Sequence, residues 1–286
     1  MQDFDAQAQA FSEQIEAELE DGRLNFPTSL DVSLRVKRLA DDPDSSLDAI
    51  ASVVKAEPVL SAKAVRMANA VLLNPYGSNI SDVNTAVKRI GLASLRCLAF
   101  AVAAEQLSQD HRSKHMRLIA SGLWMHSVDV ASWSYAIARH LRTTNPDTAM
   151  LAGMMVDIGQ FFLLARASTY PALEENLERF AEFVSVWNEP VGHAILEVFE
   201  LPEDILDAFE YENPYGGSWP PANLGDLVFV ASLAAETPNP FDSALGIQRR
   251  PELFDSCIAG IEKDKLDELL DAARAGKMEM LAAVCG

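Results

Sequence analysis

The chain has 286 residues, 49% of them hydrophobic, and a formal net charge of -19 at pH 7. That is apolar material enough for one large core or two smaller ones, and a surface this negative opposes nucleic acid and anionic membranes in general. An acidic N-terminus unlike a secretory leader, and no run of about 18 uncharged apolar residues, point to a cytoplasmic protein without a membrane span.

The predicted elements are helical almost throughout. Phe4, Ala8, Phe11, Ile15 and Leu19 recur at steps of three and four, lining one face of an acidic amphipathic helix within residues 1–23. Leu30, Leu34 and Leu39 suggest a second helix, stopped by Asp41-Asp42-Pro43. Ser45 and Asp48 form a capping-box pattern before a stripe of Leu47, Ile50, Val53 and Val54. Pro58 opens the next helix, with Leu60, Ala64, Met67, Ala68 and Val71 on its apolar face. Asn74-Pro75-Tyr76-Gly77 has the chemistry of a loop.

Two short helices follow. Val83, Val87 and Ile90 mark one, and Leu92, Leu95, Leu98, Ala99 and Val102 the other. Gly91 lies between them, where a left-handed cap conformation suits glycine. Residues 82–105 thus have the outline of a helix-turn-helix carrying Lys88, Arg89 and Arg96. They lie in the one basic stretch, Thr85 to Arg117, where six basic residues face two acidic ones for a net +4.

A polar stretch from Ser108 to Lys114 places a boundary near residue 118, dividing a bundle at 24–118 from a second helical domain at 119–286. From Leu123 one long helix carries Val130, Trp133, Ile137 and Leu141, and Asn145-Pro146-Asp147 starts the next. Further helices are expected near 172–187, 189–200, 203–211, 223–236 and 263–283, with loops at 213–221 and 237–251. No alternating strand, internal repeat or low-complexity tract is found. The three cysteines, Cys97, Cys257 and Cys285, suggest neither a disulfide framework nor a thiolate metal site.

Few residues could carry chemistry. His126 and Asp157 could meet, and Asp157 sits in the apolar run Leu151 to Gln160, just before Gly159. His193 and Glu197 share a helix face at i, i+4, and Asp226 and Ser232 lie on a later helix. A metal-activated water needs several His and carboxylate ligands around an open cation. Two ligands do not make a tight site. No nucleophile elbow, phosphate-cradling loop or dinucleotide fingerprint is present.

In series, the blocks Phe26-Pro27-Thr28-Ser29-Leu30, Asp42-Pro43-Asp44-Ser45-Ser46-Leu47, Ala56 to Lys63 with Arg66-Met67-Ala68-Asn69, Ile80 to Val87 with Ile90-Gly91-Leu92, Leu123 to Ser127, and Leu151 to Gly159 resemble the HDOD family over roughly residues 24 to 236. The resemblance implies an all-α fold, an N-terminal helical bundle followed by an HD-like helical domain, in a regulatory family that shares ancestry with HD metal-dependent phosphohydrolases. It places His126 at the first HD ligand and Asp157 at the Asp of the dyad. Val156 then falls where the dyad His would be, and Ser232 where the last Asp would be. Gln160 replaces a lysine, and Glu210-Tyr211-Glu212-Asn213 stands where relatives carry paired histidines.

The expectation is a non-catalytic signalling protein with no metal and no cofactor. It would act through a protein partner or a small signalling ligand held in a vestigial cleft of His126, Asp157 and His193. One alternative is a divergent phosphohydrolase using His126 and Asp157 with His193 or Asp226. Another is DNA binding through Lys88, Arg89 and Arg96, against which the overall charge weighs.

Overall fold

A computed structural model describes residues 2–22, 24, 35–36, 38–39, 42, 44–70, 73–74, 77, 79–109, 113–198, 201, 203–209, 219–247 and 263–285. Leu30 and Leu34 of the expected second helix, the Glu210 to Asn213 segment, most of the loop at 213–221 and the end of the loop at 237–251 lie outside them. Among the described residues every regular element is helical, so the fold is all-α.

Helix α1 (Gln2–Glu20) buries Phe4, Phe11 and Ile15, the expected stripe. Its partners come from far along the chain. Phe11 stacks on Tyr170 and Phe183 at ring-centroid distances of 4.7 and 5.2 Å. Glu18 takes a two-pronged hydrogen bond from Arg166, 2.9 Å on each arm. The apolar face of α1 is therefore covered by the chain itself.

Helix α2 (Leu47–Lys55) starts one residue later than the capping pattern suggests. Ser46 is the cap, its Oγ accepting from the Ala49 N–H at 3.1 Å. Ser45 instead donates its hydroxyl to Asp42 at 2.9 Å, holding the preceding turn. Leu47 consequently stays 41% exposed, while Ile50, Ala51 and Val54 are buried. Helix α3 (Pro58–Asn69) has Pro58 in its first turn and buries Leu60, Ala64, Met67 and Ala68, as the sequence predicts.

Helix α4 (Val83–Gln109) is two helical runs meeting at Gly91, whose φ of 76° and ψ of 168° break the ladder. The positive φ is the conformation glycine accepts without steric cost.

Helix α5 (Lys114–Leu141) begins at a Ser113 cap, earlier than expected, and runs unbroken across residue 118. Every residue from His126 to Ala138 is buried. A helix apolar around its whole circumference belongs at the centre. The serines tolerated there bond back to their own helix: Ser132 to the Val128 carbonyl and Ser134 to the Val130 carbonyl.

Helices α6 (Pro146–Met155) and α7 (Ile158–Ala167) pack on this axis. The stretch Pro146–Ala167 holds an 18-residue window apolar enough by composition to cross a membrane, with mean hydropathy 1.6, but 83% of that window is buried inside the fold.

Helix α8 (Leu177–Val198) is one element where two were expected, with Pro190 inside it. Proline in a helix interior costs about 3 kcal/mol. Burial of Val184, Val191 and Ile195 on either side of Pro190 offsets that cost. Short helices α9 (Glu203–Asp207), α10 (Leu224–Ala234) and α11 (Pro240–Ala244) follow, the last within an expected loop. Helix α12 (Lys263–Cys285) lies along α5, and its end meets α3: the Ala283 and Val284 carbonyls accept from Arg66 and Lys63.

Candidate functional site

Asp157 owes its position to a break between two helices. Its φ of -106° and ψ of 22° are non-helical, and α6 and α7 leave it on either side. Two glycines let this corner approach its neighbours. A Cβ on Gly153 would lie 2.5 Å from Ser134 Oγ and 2.8 Å from Ala131 Cα. One on Gly159 would lie 2.2 Å from the Asn188 carbonyl oxygen. Both glycines of the Leu151 to Gly159 block are thus packing residues that seat the corner against α5 and α8.

His126 and Asp157 do meet, as expected. Nε2 of His126 is 3.5 Å from Oδ2 of Asp157, and both side chains are nearly buried. The other ring nitrogen, Nδ1, is 2.6 Å from the Thr237 carbonyl oxygen. A carbonyl only accepts, so Nδ1 carries a proton and Nε2 is the atom turned to the carboxylate.

The carboxylate has further company. Ser127 donates to Oδ2 at 3.4 Å, and Asn239 donates through Nδ2 to Oδ1 at 3.1 Å. The same Asn239 amide nitrogen donates to Gln160 Oε1 at 2.9 Å. Its carbonyl oxygen caps α11, accepting from Phe241 N at 2.9 Å. One amide group, itself 4% exposed, thus bridges two buried acceptors with its two N–H bonds.

Asn239 is the residue the sequence reading missed. Asn239-Pro240-Phe241-Asp242 repeats the cap-then-proline signal read correctly at Asn145-Pro146-Asp147. Its reach to Asp157 is tertiary and has no local signature.

The segment carrying Thr237 and Asn239 is itself anchored. The backbone N–H groups of Glu236 and Thr237 both donate to Asp129 Oδ2 at 2.8 Å. Asp129 Oδ1 pairs with Lys277 Nζ at 2.9 Å, the two side chains 2% and 4% exposed. This buried ion pair links α12 to the loop that closes the site.

The other expected residues lie apart. His193 pairs with Glu197 at 3.5 Å, but its side chain is 56% exposed on α8, away from the buried His126 and Asp157. Ser232 donates to the Val228 carbonyl of its own helix at 3.0 Å. Val156 ends α6 and packs against the core. Asp226 is buried in the first turn of α10, where its N–H and carboxylate bond Asn223.

The metal that the resemblance brings to mind does not fit this donor set. One imidazole and one carboxylate converge, and no group of three or more His, Cys, Asp or Glu among the described residues is placed to hold an ion. Protein metal sites of the hydrolytic kind use about three protein ligands or more.

The expected helix-turn-helix outline falls on α4, whose two runs meet at Gly91. Arg89 donates to the Leu73 carbonyl and to Asn74 Oδ1, at 3.2 and 3.0 Å. In the second run Ser94, Leu95, Cys97, Leu98, Ala99, Ala101 and Val102 are buried, while Arg96 is half-buried. Burial also pushes the Cys97 thiol far up, with the charge of Asp147 adding to it, so this thiol is no nucleophile.

Comparison with known proteins agrees with the fold. The model of the HDOD domain matches residues 26–215. A protein from Shewanella amazonensis SB2B, provisionally named a metal-dependent phosphohydrolase, superposes with a TM-score of 0.67 at 23% identity, covering 96% of this chain and 99% of its own. An HDOD domain protein of unknown function from Geobacter sulfurreducens gives 0.57 at 24% identity, covering 95% and 96%. A second Shewanella amazonensis SB2B protein, provisionally named a phosphohydrolase, gives 0.58 at 18%, covering 95% and 98%. Among curated proteins none matches.

Proposed function

This chain belongs to the HDOD domain family, and we propose that it is a non-catalytic member: a cytoplasmic regulatory protein that binds a protein partner or a small signalling ligand without turning it over. The observation that carries this reading is the use made of Asp157. Its oxygens accept from Asn239 and Ser127, with Nε2 of His126 3.5 Å from Oδ2, so the carboxylate serves the packing of α5, α7 and α11. Buried polar groups that satisfy one another stabilise a core, and a cation entering here would first have to break those bonds.

The test is titration calorimetry of the pure chain with Mn2+ and Zn2+, together with hydrolysis of bis-p-nitrophenyl phosphate. We expect no saturable binding tighter than about 1 mM and no turnover. Tight binding with hydrolysis that His126→Ala abolishes would establish the divergent phosphohydrolase instead. For the DNA alternative, the net charge of -19 predicts no gel shift at any salt concentration.

A further inference from the structure

A cavity of about 360 Å3 opens between the end of α5 and the middle of α12, away from every residue of the His126–Asp157 network. Its polar walls are Arg139, His140 and Arg142 on one side and Glu279 on the other. Its floor is alanine from both helices and Gly276. Two arginines and a histidine thus line it with a single glutamate, in a chain whose net charge is -19. The Arg139 side chain hydrogen-bonds Tyr135, and no ion pair of Arg139 or Arg142 is found among the described residues.

The backbone at Arg142 is informative. It caps α5 with φ 58° and ψ 27°, the left-handed conformation, its N–H bonding the Ala138 carbonyl. Glycine or asparagine is the unstrained choice at such a cap, and another residue costs on the order of 1 kcal/mol. A cation near a helix C-terminus recovers part of this by complementing the dipole. That role needs one cation, and Arg139 and His140 already occupy the last turn. Arg142 is the surplus charge, and it lines the cavity.

We propose that this cavity binds a small phosphate-bearing molecule of about mononucleotide size. Guanidinium forks match phosphate oxygens in pairs. The alanine and glycine floor offers a shallow apolar shelf for a ring, and the volume lies within the range of small-molecule pockets. The inference stands independently of whether His126 and Asp157 are catalytic.

Calorimetry of the full chain with AMP, inorganic pyrophosphate and citrate tests it. AMP should bind with a Kd below about 1 mM, and more tightly than citrate. Arg142→Gly relieves the left-handed strain, so it should melt no lower than the parent yet bind AMP about ten-fold more weakly. Arg139→Gln should also weaken AMP, and Lys88→Gln, an exposed cation elsewhere, should leave it unchanged. Ala272→Leu, which narrows the floor, should exclude AMP while circular dichroism stays helical. No heat with AMP or pyrophosphate at about 5 mM overturns the proposal. So does an AMP affinity indifferent to Arg142→Gly and Arg139→Gln, or citrate binding as tightly as AMP.

Discussion

Asn239 does three things with one side chain: it donates to Asp157, donates to Gln160 and caps α11. Asn239→Ala removes all three and leaves buried acceptors without donors. Loss of a cap costs about 1 kcal/mol and an unsatisfied buried group about 1–3 kcal/mol. The variant should therefore unfold at lower denaturant by about 2–4 kcal/mol. Asn239→Asp keeps the cap but sets a second carboxylate against Asp157. Its deficit should be largest near neutral pH and shrink as pH falls into the carboxylate range, where protonation relieves the repulsion. At Asp82 the ionised carboxylate stabilises instead. Its carboxylate caps α4 by accepting from Thr85 N at 2.8 Å, and that backbone hydrogen bond holds its pKa below the usual 3.8. A depressed carboxylate adds stability above its unfolded pKa and loses it as pH falls through the folded one. Asp82→Ala should thus be less stable than the parent at pH 6, with the gap closing below the usual 3.8, as read by thermal melts at each pH.

At the scale of elements, the chain ties its ends to its middle. Helix α1 docks on the Tyr170 and Phe183 rings through Phe11, which is fully buried. Phe11→Ala should cost about 3–5 kcal/mol and make α1 the first site of limited proteolysis. Helix α12 is held by Lys277 on Asp129 and by Arg66 on its last carbonyls. Lys277→Ala leaves Asp129 buried without its cation and should cost about 3–5 kcal/mol. Because Asp129 also holds Glu236 N and Thr237 N, hydrogen exchange at residues 235–239 should rise in that variant. A polar side chain at the His126–Asp157 site therefore depends on a helix more than a hundred residues away.

Among the described residues, one contiguous buried cluster reaches from Phe4 to Val284. Within it the HD-like corner persists as packing. Val156→His should therefore create no hydrolase, since Ser232 still spends its hydroxyl on the Val228 carbonyl. Manganese titration of Val156→His beside Val156→His/Ser232→Asp checks this. Saturable binding and turnover from the single change would place the ligand positions elsewhere.

Local sequence alone carries the helical periods, the cap at Asn145, the helix start at Pro58 and the break at Gly91, and the motif blocks carry the meeting of His126 with Asp157. Each of these is written in neighbouring residues or in motif blocks: amphipathic spacing, turn chemistry and capping act over one or two helical turns. The tertiary structure alone decided that α1 packs against residues 170–187, that Pro190 sits inside a continuous helix, that Asn239 bridges Asp157 and Gln160, and that Lys277 finds Asp129. Those outcomes depend on which distant faces bury together. Burial overrides local preference at Pro190, and it fixes partners for polar groups that no local pattern names.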